Sequence, residues 1–247
     1  MNIEKNLKLE LFRKLLLIRK FEERVKVLYD EGVVIGAIHL YIGQEAVAVG
    51  VCQALRQDDY VYSSHRGHGH AIAKTGEING FMAELMGRET GVSKGHGGSM
   101  HLFLPEKGLM GGNGIVGGGI PLALGGAFTA DYKGTDQVSV TFFSDGAANQ
   151  GNFSEAINLA ALWKLPVLFV CENNHYAATT PVEQSTAVID IAGRAESYGV
   201  PAEKVNGNNV LDVYKAAESA VKKIRGGEGP FLLECETYRI EPHCGII

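Results

Sequence analysis

Cysteine is scarce and scattered: Cys52, Cys171, Cys235 and Cys244 are the only four in 247 residues, and no C-x-x-C pair occurs. That spacing argues against a zinc ribbon or a disulfide frame and fits reduced thiols in a cytoplasmic protein. No apolar run reaches the ~18 residues needed to span a membrane. The N-terminal segment sets Glu4 and Glu10 among Lys5 and Lys8. It lacks both the apolar core of a signal peptide and the acid-poor composition of a transit peptide, so it reads as part of the fold. Basic runs are missing too: 23 basic residues face 28 acidic ones, net −5, which argues against nucleic acid as a partner. Tryptophan occurs once, at position 163, and on its helix it reads as a core residue. Neither an internal repeat nor a linker appears, and the length suits a single domain over 1–247 with a substantial core. With 45% hydrophobic and 21% charged residues, pervasive disorder is excluded. What the chain has in excess is glycine, 32 residues that cluster between Gly87 and Gly126. Such clustering suggests backbone packed against a ligand or a neighbouring chain.

Leu11, Leu15, Ile18, Phe21, Val25 and Leu28 recur at spacings of three and four, which predicts an amphipathic helix over 8–30. A second helix is expected over Gln44 to Ala54. The stretch from Gly91 to Gly119 lacks either periodicity and reads mostly as loop, and loops this long are usually functional. A helix from Pro121 to Tyr132 leads to a buried strand over Val138–Phe143. Helix 152–163 follows, with Phe153, Ala156, Ile157, Ala160, Ala161 and Trp163 expected on its inward side. A second buried strand covers Val167–Cys171. Strand, helix, strand makes a right-handed parallel crossover, and a helix near Val210–Ile224 with a strand near Phe231–Cys235 repeats it. The fold class is therefore α/β, a mostly parallel open sheet with helices on both faces. Lys222, Lys223 and Arg225 read as a solvated helix end.

Asp145-Gly146 follows the first of these strands and Glu172-Asn173-Asn174 the second. Adjacent parallel strands bring both to their carboxyl ends, where open α/β folds bind ligands. A carboxylate and an amide oxygen placed there suit Mg2+ that also holds phosphate oxygens. Gly146 lets backbone approach a diphosphate, and the start of the helix near Gly151 adds unpaired N–H groups. Taken singly, Asp-Gly and Asn-Asn are ordinary turn chemistry; their combined placement favours the ligand site. The pattern Gly112-x-Gly114-x-x-Gly117 also fits a dinucleotide-binding turn. Lys107–Met110 is too short for a clear preceding strand, however, and Gly118-Gly119 interrupt the helix start. His65, His68 and His70 are clustered but lack the ligand spacings of zinc motifs.

Five segments in order resemble the α chain of the thiamine diphosphate-dependent 2-oxo acid dehydrogenases, the decarboxylating E1 component. They are Ile18–Glu22, the glycine-rich Gly97–His101, the turn Gly112–Gly117, the run Asp145–Gly151 through Leu165-Pro166 to Asn174, and Thr237–Arg239. The resemblance covers nearly the whole chain and implies a thiamine diphosphate-binding fold. It implies that Asp145 and Asn174 give side-chain ligands to Mg2+ and Tyr176 a backbone carbonyl. Gly146 and Ala147 then face the diphosphate, with Arg66 and Arg239 as cationic clamps. Gly114 and Val116 hold the aminopyrimidine through backbone groups, and Ile115 supports the bent cofactor. His65 and His243 face the reacting carbon, where histidine suits proton traffic near neutral pH. Ser144 stands where the family has the first glycine of Gly-Asp-Gly, Pro242 where it has a glycine before its last histidine, and Cys244 where it has a regulatory serine.

The resemblance further implies oxidative decarboxylation of pyruvate with acyl transfer to a lipoyl group on an E2 acyltransferase. It also implies dependence on an E1 beta subunit, in an α2β2 assembly, that supplies the glutamate for the aminopyrimidine ring. Met82–Arg88, Met100–Phe103 and Asn149-Gln150 resemble the pyruvate branch, whereas His65–His70 is similar to the acetoin-cleaving branch. A branched-chain 2-oxo acid is the third substrate reading, and a non-catalytic scaffold the reading outside catalysis.

Overall fold

The computed structural model describes residues 4–245. Nine helices are present among them: α1 (Lys5–Asp30), α2 (Glu45–Gln53), α3 (His68–Thr75), α4 (Asn79–Leu85), α5 (Gly119–Lys133), α6 (Gly151–Trp163), α7 (Val182–Ser185), α8 (Ile191–Glu196) and α9 (Val210–Lys223). The strands are β1 (Tyr60–Tyr62), β2 (Leu109–Gly111), β3 (Ser139–Ser144), β4 (Val167–Asn173), β5 (Tyr176–Ala177), β6 (Thr180–Pro181), β7 (Ala202–Asn206) and β8 (Phe231–Glu236). Six of them form one sheet in the order β2-β1-β3-β4-β8-β7, and every pairing in it is parallel. β5 and β6 make a separate small hairpin.

Both faces of the sheet are covered, as expected of parallel strands. Alternate side chains of β3 and β4 explain how. Val140, Phe142, Leu168 and Val170 join the cluster under α1, α2, α3 and α9. Phe143, Val167, Phe169 and Cys171 join the cluster under α5, α6 and α8. The two-residue period of a strand thus feeds two cores from one run of apolar residues. α1 buries Leu11, Ile18, Phe21, Val25 and Leu28, the stripe that the sequence predicts.

Three sequence expectations need correction. Trp163 is not core: it is 51% exposed, and its ring packs against the half-exposed Phe128 at 5.9 Å between centroids. Phe153, Ala156, Ile157 and Ala160 form the buried inward face of α6, and the partly buried Ala161 packs against the same core. The segment before the Gly112–Gly117 turn does form a strand, because β2 pairs with β1 at the sheet edge, and α5 starts at Gly119 despite its glycines. Arg225 is no solvated helix end: it pairs at 2.8 Å with the buried Asp59 and donates to the carbonyl of Asp136.

Candidate active site

The chain runs from β1 outward to β2, then returns to place β3 on the other side of β1. This makes the carboxyl ends of β1 and β3 a switch point, where connecting segments diverge and leave a crevice. A cavity of about 270 Å³ opens there. Its wall includes His65 and Arg66 from the turn after β1, Ser144 and Gly146 after β3, and Glu172 and Asn174 at the end of β4. Tyr176 of the hairpin, Val116, Arg239 and His243 complete most of it. Parallel pairing sets Ser144 opposite Glu172, so Asp145 and Asn174 emerge at one level on neighbouring strands.

Asp145 is 2% exposed, and neither carboxylate oxygen has a hydrogen-bond partner. Burial pushes its pKa up; the backbone N–H groups of Asn174 and Gly146 oppose that shift without completing a bond. A buried carboxylate left in this way calls for a cation. Asn174 is buried beside it, with Oδ1 accepting from the N–H of Tyr176 at 3.2 Å. Gly146 is required by space, since a Cβ there would stand 2.6 Å from Cβ of Ala177. Ala147 is buried and, with Ile115 and Val116, lines a small recess that adjoins the cavity. Ile115 is 73% exposed and Val116 43%. Gly114 lies on the same turn, near His101, but on neither wall. The donor set therefore fits a metal ion and an anionic ligand held through Asp145, Asn174 and the backbone around Gly146.

Two guanidinium groups supply the positive side. Arg66, itself buried, donates to the carbonyls of Leu40 at 2.6 Å and His243 at 3.0 Å. Burial, then Arg239, pushes its pKa down to about 10. Arg239 donates to the carbonyl of Ala178 at 2.8 Å. Both approach Nδ1 of His243, at 3.5 and 3.4 Å. A guanidinium cannot accept a hydrogen bond, so Nδ1 is the unprotonated nitrogen and the proton sits on Nε2. Pro242 lies in the loop that carries His243. The loop is pinned by a 2.6 Å ion pair from Lys26 to Glu241 and by the N–H of Gly245 on the carbonyl of Ile38.

His39, which the sequence reading missed, completes a group of three. Ring centroids lie 4.7 Å apart for His39 and His65, 5.0 Å for His39 and His243, and 5.5 Å for His65 and His243. Burial, followed by the charge of Arg66, pushes His65 to about 3 and His39 and His243 to about 4. In the chain alone all three are therefore neutral at pH 7, below the neutral-pH titration expected from sequence. His68 and His70 do not join them. His68 bridges Glu22 and Ser99, and His70 bridges Ser63 and Glu172. With both ring nitrogens engaged and no exposure, these two fasten the fold. Gln44 and Glu172 were also missed; Glu172 takes hydrogen bonds from Tyr41 and His70 while lining the cavity. Their signal in the sequence was polarity inside apolar runs, 38–49 for His39 and Gln44 and 167–172 for Glu172.

Comparison with known proteins agrees with this fold. The family model described as "Dehydrogenase E1 component" matches residues 13–245. The α subunit of an acetoin:2,6-dichlorophenolindophenol oxidoreductase from Bacillus subtilis (strain 168) is 54% identical over 94% of this chain and 70% of its own length. The pyruvate dehydrogenase E1 component subunit alpha of Rhizobium meliloti (strain 1021) is 49% identical over 95% of this chain and 68% of its own. Among solved structures, one from Mycobacterium smegmatis described as a thiamin diphosphate-dependent enzyme shares the fold. Its TM-score is 0.52 and its identity 21%, over 82% of this chain and 33% of that one. With the parallel sheet, the two-strand carboxylate and amide site, and a family match over most of the sequence, the chain belongs to the dehydrogenase E1 component family.

Proposed function

We propose that this chain is the α subunit of a pyruvate dehydrogenase-type E1 component, which binds thiamine diphosphate with Mg2+ and decarboxylates pyruvate together with a β subunit. The observation that carries the reading is the unpartnered, buried carboxylate of Asp145 beside Asn174. Asp145 and Asn174 hold Mg2+ with the carbonyl of Tyr176. Gly146 and Ala147 offer backbone to the diphosphate, and Arg66 and Arg239 neutralise its charge. Gly114 and Val116 would hold the aminopyrimidine through backbone groups, with Ile115 as a support for the cofactor. Bound there, the cofactor supplies the nucleophilic carbon and the electron sink that decarboxylation needs. His65 and His243 are the catalytic residues. Neutral imidazoles hydrogen-bond to substrate without adding charge, and His243 presents its Nε2–H.

Dependence on a β subunit is supported by two features. Among the described residues, the one acid on the cavity wall is Glu172, and it is committed to Tyr41 and His70. The chain also exposes an apolar stripe, Leu122, Phe128 and Tyr132 of α5 with Leu162 and Trp163 of α6, of the kind subunit contacts cover. Acyl transfer to a lipoyl group of an E2 acyltransferase follows from the same reading. Acetoin is the second substrate reading, favoured by the 54% identical relative and by His65–His70. Asp145→Ala and Asn174→Ala test the metal site: each should abolish Mg2+-dependent cofactor binding by calorimetry while circular dichroism stays unchanged. Undiminished binding in either variant would contradict the assignment. Pyruvate and acetoin are ranked by dye reduction in the co-expressed pair.

A further inference from the structure

We propose that Gln44 is a positioning residue for the cation site: by accepting from Nδ2 it holds the Asn174 amide in the polarity that the N–H of Tyr176 sets, so that oxygen, not nitrogen, is the atom Asn174 offers to a metal. The inference rests on the reading of Asp145 and Asn174 as cation ligands. Three hydrogen-bond facts lead to it. The backbone N–H of Tyr176 can only donate, so the Asn174 atom it meets at 3.2 Å is Oδ1. Nδ2 of Asn174 must then find an acceptor, and it meets Oε1 of Gln44 at 3.1 Å. Both side chains are buried, Gln44 to 1% exposure, so leaving either end of the Asn174 amide unpaired is costly. Having accepted one N–H, Oδ1 keeps a second lone pair for a cation. A reversed amide would set N–H against the N–H of Tyr176.

Gln44 is itself held from the amino-terminal end of α2. Its own N–H donates to the carbonyl of Tyr41 at 3.1 Å, and Gly43 before it donates to the Glu45 carboxylate at 3.0 Å. The other end of the Gln44 amide, Nε2, is buried without a partner. The protein thus uses only the acceptor, and a glutamate at 44 keeps that acceptor at the same length of side chain. A methionine keeps the volume and loses it.

The test uses the full chain co-expressed with its β partner. Mn2+ affinity is read by electron paramagnetic resonance with thiamine diphosphate present, and Mg2+-dependent cofactor binding by calorimetry. Gln44→Met should weaken the cation at least tenfold, with kcat at saturating cation and cofactor within threefold of the parent. Gln44→Glu should bind Mn2+ within threefold of the parent or more tightly, a rescue that a purely space-filling role does not give. Parent-like affinity in Gln44→Met, with binding lost in Asn174→Ala, overturns this inference and leaves the cation site standing. Weak binding in Gln44→Glu overturns it even where Gln44→Met does not fold. Parent-like affinity in Asn174→Ala removes the cation reading and this inference with it.

Discussion

At the scale of single residues, Asp145 places a carboxylate where the protein supplies no hydrogen bond to it. Its pKa is raised by burial, so whatever stability the group gives is present below the ordinary carboxylate range and lost as pH climbs through the raised value. The ionised form is therefore a cost to the cofactor-free chain. Asp145→Asn should raise the melting stability of that chain by about 1–3 kcal/mol, while Mg2+ with thiamine diphosphate raises the melting temperature of the parent only. The three cavity histidines act with the opposite sign. Their pKa values are depressed to about 3 and 4, so the native state prefers them neutral. Their contribution is complete above the unfolded value near 6.5 and drains away as pH falls from there toward 4. A His39→Gln variant should flatten the acid limb of a pH-stability curve in that window; an unchanged limb counts against the account. Asp145 and Asn174 were legible in the sequence because they follow strands that periodicity locates, whereas Arg66 and Arg239 came only from the family resemblance. His39 and Gln44 were not legible, since their role depends on a loop before α2 being carried to the ends of β3 and β4.

At the scale of elements, what the sequence hides are the short pieces. β2 has three residues inside a glycine-rich stretch and exists because β1 offers an edge. β7 reads Ala-Glu-Lys-Val-Asn and shows no buried residue, as an edge strand guarded by charge should. The long helices and the central strands β3, β4 and β8 were legible because each carries a full period of apolar residues into a core. Trp163 shares the spacing of that core face, yet α6 turns it onto Phe128 instead, which a helical period alone does not reveal. One acid organises the glycine-rich loop before β2. Glu84 accepts from the N–H groups of Ser93, Gly95, Gly97 and Gly98 at 2.7–3.1 Å. Burial acts to raise its pKa, and the four donors together bring it below the ordinary value. The loop in turn abuts the next segment, for a Cβ at Gly112 would stand 2.4 Å from the carbonyl of Met100. Glu84→Gln sets an NH2 group against backbone donors. It should cost about 2–3 kcal/mol of stability, speed proteolysis within 91–98 and weaken cofactor binding through the 112–117 turn. Unchanged proteolysis would show that the loop is held by other contacts.

At the scale of the molecule, the proposed pairing with a β subunit ties the cavity to the exposed apolar stripe. α5 buries Ile120, Ala123, Leu124, Ala127 and Ala130 against the sheet, yet Leu122, Phe128 and Tyr132 face outward. A helix apolar on both sides is expected to be covered on both. Phe128→Glu should therefore leave the chain folded and impair pairing with the β subunit, seen as a lower assembly mass by light scattering. No described helix is long and apolar enough to cross a membrane. The central claim is a half-site: this chain holds the metal and diphosphate end of the cofactor, and turnover needs a second chain. The most direct measurement is pyruvate-dependent dye reduction, in Mg2+ and in chelator, by this chain alone and by the co-expressed pair. Activity confined to the pair with Mg2+ is the expected result. Turnover by the chain alone, or activity of the pair that persists in chelator, would contradict it.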